Sequence, residues 1–217
     1  MSTIDSGAAG PTTYPVQFDV DYPDRGLDRL TTFFRLFMAI PIAIVVALVS
    51  GPATSFGPEQ TRVIVVSAGG LLFLPPLLLI LFRRKYPRWW FDWNLELLRF
   101  SNRVTVYLAL LRDEYPSTDE RQALHLDIRY PEAHSELNRW LPLVKWLLAI
   151  PHYIVLFFLS IAAFVVIVIS WFAILFTGRY PRPLFDFVVG VLRWGTRVTG
   201  YAFLLVTDAY PPFRLAP

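Results

Sequence analysis

Cysteine is absent from the 217-residue chain. Disulfides, thiolate zinc sites, iron–sulfur clusters and a cysteine nucleophile are thereby excluded. Charge is scarce as well: 17% of the residues are charged, where soluble domains carry about a quarter. Lysine occurs only at Lys85 and Lys145, so the net charge of +3 rests on arginine. The three histidines, His125, His134 and His152, lack a metal-binding spacing such as H-E-x-x-H. Ser50, Ser67, Ser160 and Ser170 lack a G-x-S-x-G elbow, and no glycine loop suited to phosphate occurs. No metal or cofactor is expected. A basic start leading into a short apolar core is missing, so no signal peptide is expected.

Apolar residues are plentiful, at 55% of the chain with 16% aromatic. That surplus exceeds what one soluble core absorbs and is expected to meet lipid. Residues 1–13 are small and polar and read as a disordered tail.

The remainder matches itself in order. Phe18-Asp19-Val20-Asp21-Tyr22-Pro23 answers Leu126-Asp127-Ile128-Arg129-Tyr130-Pro131. Arg29, Arg35 and Ala39-Ile40-Pro41 answer Arg139, Lys145 and Ala149-Ile150-Pro151. Arg84-Lys85-Tyr86-Pro87-Arg88 answers Gly178-Arg179-Tyr180-Pro181-Arg182, and Phe91-Asp92 answers Phe185-Asp186. Arg99, Arg103 and Tyr107 answer Arg193, Arg197 and Tyr201, and both halves close on an acid followed by Tyr-Pro, near Asp113 and Asp208. The expected organisation is a first unit at 14–116, a linker at 117–123 and a second unit at 124–213.

The run Arg179-Tyr180-Pro181-Arg182, Phe185-Asp186-Phe187, Leu192-Arg193-Trp194, Arg197-Val198, Tyr201 and Asp208-Ala209-Tyr210-Pro211-Pro212-Phe213 resembles a bacterial membrane-protein family catalogued as domain of unknown function 4389. The resemblance covers nearly the whole chain as two copies, strongest in the second. The first copy departs from it around Arg84 and Lys85 and through a loop inserted near Gly51. The resemblance implies a multi-pass bacterial membrane protein and supplies no catalytic or binding residues.

The residues themselves predict a membrane α fold with a small β component. It would be two tandem repeats, each a strand, a transmembrane helical hairpin, an interfacial amphipathic helix and a second strand. The opening strands are the alternating segments 16–20 and 124–128. In the first unit, residues 30–49 and 63–82 each have bilayer-crossing length, with Gly51, Pro52, Gly57 and Pro58 at the turn. In the second, residues 141–176 run apolar almost without interruption. A hairpin turning near Ser160 is favoured there. An interfacial helix to about Pro151 followed by one crossing is the alternative. Asp92 and Asp186 are expected to start short helices, with Asp92, Glu96, Arg99 and Arg103 on one polar stripe. Residues 104–108 and, more ambiguously, 198–205 read as strands, giving four for one small cytoplasmic sheet that joins the two units.

Arg35 and Lys145 are expected to snorkel at the entry to a span. Candidate contacts to lipid headgroups or a partner are Arg84, Lys85, Arg88, Arg99, Arg103, Arg179, Arg182, Arg193 and Arg197. Arg99, Arg103, Arg193 and Arg197 could equally pair with Asp92, Glu96, Asp113 and Asp186 to hold the fold. Trp89, Trp90, Trp93, Trp140 and Trp194 are the expected interfacial anchors. Both termini and the basic stretches are expected on the cytoplasmic side of the plasma membrane.

The first functional expectation is a non-enzymatic multi-pass scaffold or accessory subunit. It would organise anionic lipid, a membrane-protein partner or a second copy at that face, and bind no nucleic acid. A transporter or channel component is the alternative. A lipid-modifying enzyme comes third, with Asp92 and Asp186 its only repeated candidates.

Overall fold

A computed structural model describes residues 14–42, 44, 74–117, 120 and 122–217. The tail at 1–13, the turn at 51–58 and most of the first predicted hairpin lie outside the described residues.

Two strands form as the alternation requires. β1 (Val16–Val20) and β2 (Leu124–Ile128) pair antiparallel, with Phe18 opposite Leu126. Period two buries Val16, Phe18 and Val20 with Leu124, Leu126 and Ile128, and turns Gln17, Asp19, His125 and Asp127 outward. Asp21 N donates to Ala123 O (3.0 Å) and Arg129 N to Pro15 O (3.0 Å), extending the ladder at both ends. The two strands come from opposite halves of the chain, so the ribbon joins the two expected units.

The helices are α1 (Arg29–Met38), α2 (Leu74–Arg83), α3 (Arg88–Leu108), α4 (Pro142–Leu148), α5 (Ile150–Thr177) and α6 (Arg182–Ala202). Asp28 caps α1 by accepting from Leu30 N (2.9 Å). Pro87 and Pro181 precede α3 and α6, their fixed φ setting the extended residue from which each helix starts. Both helices stop at a residue with positive φ a short way past the end, Leu110 (64°) and Leu205 (59°).

The architecture differs from the expected multi-pass fold of two tandem repeats. Among the described residues one helix, α5, is long and apolar enough to cross a membrane, and the sheet has two strands. Residues 104–108 and most of 198–205 are the ends of α3 and α6 rather than strands. Their β-branched residues are accommodated in the helix, as Thr105 and Thr199 show by donating to the carbonyls four residues back (2.9 and 3.0 Å). The stretch 92–103 is likewise not a short separate helix but the middle of the 21-residue α3. Residues 141–176 do not fold as a hairpin. They break at Ala149, which ends α4 and starts α5, and Ser160 stays helical by donating to Phe157 O (2.8 Å). Pro151 fits there because it falls at the first turn of α5, where no amide partner is required.

The halves exchange partners. α6 packs on β1 and α3 on β2, while α1 packs on α5 and α4 on α2 and α6. The main core lies between the ribbon and the two long helices α3 and α6, from Phe18 and Leu126 to Phe91, Phe185 and Val188.

Candidate membrane-facing site

α1 and α4 are inside out. In α1 and its continuation the buried residues, among those described, are Thr32, Arg35, Ala39 and Ile42. In α4 and its continuation they are Pro142, Lys145, Ala149 and His152. That spacing is one helical face. The face toward the protein therefore carries the cation, and the outward faces carry Phe33 and Phe37, or Leu143 and Trp146.

Each cation is clasped. Arg35, 2% exposed, pairs through Nη2 with Asp113 and donates through Nη1 to Tyr107 O (3.1 Å) and Arg112 O (3.0 Å). Its guanidinium lies 4.6 Å from the Tyr107 ring centroid. Lys145, fully buried, lies 2.7 Å from Asp208 Oδ1, donates to Thr207 O (2.7 Å) and sits 5.2 Å from the Tyr201 ring centroid. The second carboxylate oxygens accept backbone amides just before the inside-out helices: Asp28 N to Asp113 (2.8 Å) and Asn138 N to Asp208 (2.5 Å). Burial pushes the Lys145 ammonium below its ordinary value, with Asp208 working against the shift. Burial, then Asp208, raises the Tyr201 phenol. Both cations were expected to snorkel. They turn inward instead because an acid, a carbonyl and an aromatic face are assembled there to receive them. The acids were legible as the matched residues near the closing Tyr-Pro, but nothing local joined them to cations 78 and 63 positions away.

The long-helix arginines hold main chain. Arg99 Nε donates to Leu126 O (3.2 Å) and Arg193 Nε to Phe18 O (2.7 Å), the carbonyls of two residues paired across the ribbon. Arg99 also pairs with Glu96 (2.5 Å) and Arg193 with Asp19 (2.8 Å). Arg103 Nη1 donates to Ser117 O (2.7 Å), and Arg197 Nη1 to Ala216 O (3.1 Å), fastening the chain that follows each helix. Of the four acids expected to pair with these arginines, Glu96 does so; Asp113 serves Arg35, and Asp186 lies near exposed Arg182 (3.4 Å).

Arg84, Lys85, Arg88, Arg179 and Arg182 are exposed. Tyrosines fix the segments that carry them: Tyr22 donates to Tyr180 O (2.5 Å), Tyr130 to Tyr86 O, and Tyr86 to Leu204 O (2.7 Å). Arg182 stands over the Tyr22 ring (4.6 Å) and Arg88 over Tyr130 (5.2 Å). Trp89, Trp93 and Trp140 are exposed and Trp90 is half-buried. Trp194 is not at a surface. It is 5% exposed and donates to His152 Nδ1 (3.1 Å), beneath Phe213 stacked on the imidazole. Among the described residues no group of three His, Asp or Glu could hold a metal ion.

Among the described residues, the fold is a helical domain with one long, apolar, outward-facing helix and two clasped inside-out helices. Residues 140–214, from just before α4 through the Lys145 clasp to the C-terminal segment, match the family model described as a domain of unknown function (DUF4389). The match does not reach the first half, so the expectation of two copies is not confirmed. No curated protein and no solved structure is significantly similar to the chain.

Proposed function

We propose that this protein is a membrane-associated, non-enzymatic adaptor that gathers anionic lipid headgroups at a basic, aromatic collar. The observation that carries this reading is the sequence of surfaces along α5 and beyond. An uncharged helix whose apolar side chains are largely exposed is followed directly by exposed Arg179 and Arg182. Exposed apolar side chains want hydrocarbon, and cations at the boundary want phosphate. Arg84, Lys85 and Arg88, with Trp89 beside them, form a second such edge. The collar then faces the cytoplasm, where the inner leaflet is anionic and Arg and Lys accumulate. The inward arginines are engaged with main chain and are part of the scaffold. A transport path would need acids beside Arg35 and Lys145. Asp113 and Asp208 are such acids, but they also bind the backbone amides of residues 28 and 138, as fastenings do.

The test is native mass spectrometry of protein extracted in mild detergent. Bound anionic phospholipid is expected, lost when Arg84, Lys85, Arg88, Arg179 and Arg182 are replaced by glutamine. Recovery of neutral lipid alone, or lipid retention unaffected by those changes, would defeat the proposal.

A further inference from the structure

The setting of α5 decides how its apolar surface meets lipid. Phe158, Phe164 and Phe176 are 64%, 67% and 78% exposed, and the helix bears no charge. Yet it does not project from the protein. Ala149, at its start, packs with Val198 and Ala202 near the end of α6. Its other end is joined to the start of α6 by residues 178–181 alone. Two helices tied at both ends run side by side. A seam through Ala163, Ser170 and Ile174 is buried along the way. α6 also holds β1, through Arg193 Nε on Phe18 O (2.7 Å), so the ribbon with outward Asp19 and Asp127 accompanies the same pair of helices.

A perpendicular crossing by α5 would carry these neighbours into hydrocarbon. A charge facing hydrocarbon is costly unless it is paired or enclosed by protein. The outward carboxylates of Asp19 and Asp127 would then face lipid, and open ribbon edges are not tolerated there. An orientation along the surface avoids all of this. The inside-out helices favour the same orientation. α1 packs on α5 beside Trp171, whose indole donates to Thr32 O (3.2 Å), while α4 joins the opposite end of α5. Their apolar faces are held outward by the two clasps, at both ends of a helix about 42 Å long. One leaflet reaches both only if α5 lies in its plane.

We infer that α5 lies in the plane of a single leaflet, with the outward faces of α1 and α4 seated in that leaflet at its two ends and the ribbon turned to water. The partner of this surface is the acyl–headgroup boundary of a bilayer. The inference rests on the membrane reading above and adds its geometry.

A chain without cysteine permits single labels. Phe158→Cys, Phe164→Cys and Phe176→Cys place a fluorophore along α5, spanning about 27 Å of helix axis. Phe37→Cys and Leu147→Cys report on α1 and α4. All five side chains point outward, and circular dichroism with a shared unfolding temperature confirms each variant's fold. In vesicles containing lipids brominated at defined chain depths, all five labels are expected to be quenched at one shallow depth. All should also be protected from a membrane-impermeant quencher on the same side. A profile deepest at Phe164, with Phe158 and Phe176 shallower and on opposite sides, would overturn the inference and leave membrane association standing. No quenching at any position would remove both.

Discussion

Arg35 and Lys145 stand at matched positions, each on an inside-out helix, each beside a tyrosine ring and each paired with an acid that follows a later helix, α3 or α6. They differ in how the charge is shared. Arg35 spreads its donors over Asp113 and two carbonyls. Lys145 presents a point charge to Asp208 and one carbonyl. A guanidinium has five donors in a fixed fork, and an ammonium has three on a flexible stem and sheds its proton far more readily when buried. Equal geometry therefore does not give equal dependence on the acid: the lysine clasp leans on its carboxylate more.

The strongest way to break that comparison is to remove each acid. Asp208→Ala leaves a buried ammonium with one carbonyl and is expected to cost about 3 kcal/mol in unfolding free energy. Asp113→Ala, with two carbonyls still bound to the guanidinium, is expected to cost about 1.5 kcal/mol. Denaturant unfolding in a mild detergent at neutral pH measures both. Equal losses would mean that the head groups are interchangeable.

Proton linkage sharpens the same contrast. Burial holds folded Lys145 below the 10.5 of the free side chain. Between that lowered value and 10.5 the unfolded chain binds more protons, so stability rises with pH across the window. Below the window the lysine is charged in both states and the full burial cost is present. Asp208→Ala removes the group that raises the folded value, so the window should extend toward neutral pH, and part of the lost stability should return as pH increases. Lys145→Arg should flatten the profile. Readings belong below pH 10, because Tyr201, raised by burial, works in the opposite sense above it. A profile with the same slope in the parent, Asp208→Ala and Lys145→Arg would assign the titration elsewhere.

The legible parts of this fold were the local ones. Alternation at 16–20 and 124–128 is a strict period, and both strands formed there. Val104 to Leu108 looked like a strand because β-branched and aromatic residues cluster, but a helix already running from Arg88 is extended by packing rather than by propensity. Ser160 was a poor turn signal because its hydroxyl can bond within its own helix, as it does to Phe157 O. The exposed cations around Arg84 and Arg179 fell where a basic, aromatic stretch is expected. Trp194 did not, because tryptophan marks an interface only when its helix face reaches one. The clasps were half legible: the matched cations and acids were visible separately, and only folding brings them together.

A second contrast lies in how tightly each long helix meets the ribbon. α6 has Gly200 where α3 has Val106. A Cβ at Gly200 would come within 2.7 Å of Val16 Cγ2, a side chain 1% exposed. Gly200→Val, which makes α6 resemble α3 at this point, is expected to cost about 2 kcal/mol through overpacking. A milder loss would show that β1 can shift away from α6 without dragging β2 with it.

The smallest expected effect concerns the residue just after α2 and α5. Gly178 ends α5 in the left-handed region at φ 73°, its amide donating to Ile174 O (2.7 Å). At the matched position Arg84 adopts φ 48°, its amide donating to Ile80 O (3.2 Å). Glycine takes this conformation freely, and a residue with a Cβ pays about 1 kcal/mol for it. Arg84→Gly should therefore stabilise the first half and Gly178→Arg destabilise the second by similar amounts. Either change should move the melting temperature by about 2–4 °C in opposite directions. A Cβ at Gly178 would approach Arg29 Nε no closer than 3.6 Å, so backbone strain rather than a clash sets the size of the loss. Because Arg84 is also a collar cation, the comparison belongs in neutral detergent, where headgroup binding does not contribute. A stabilising Gly178→Arg would mean that the cation, and not the backbone, governs this turn.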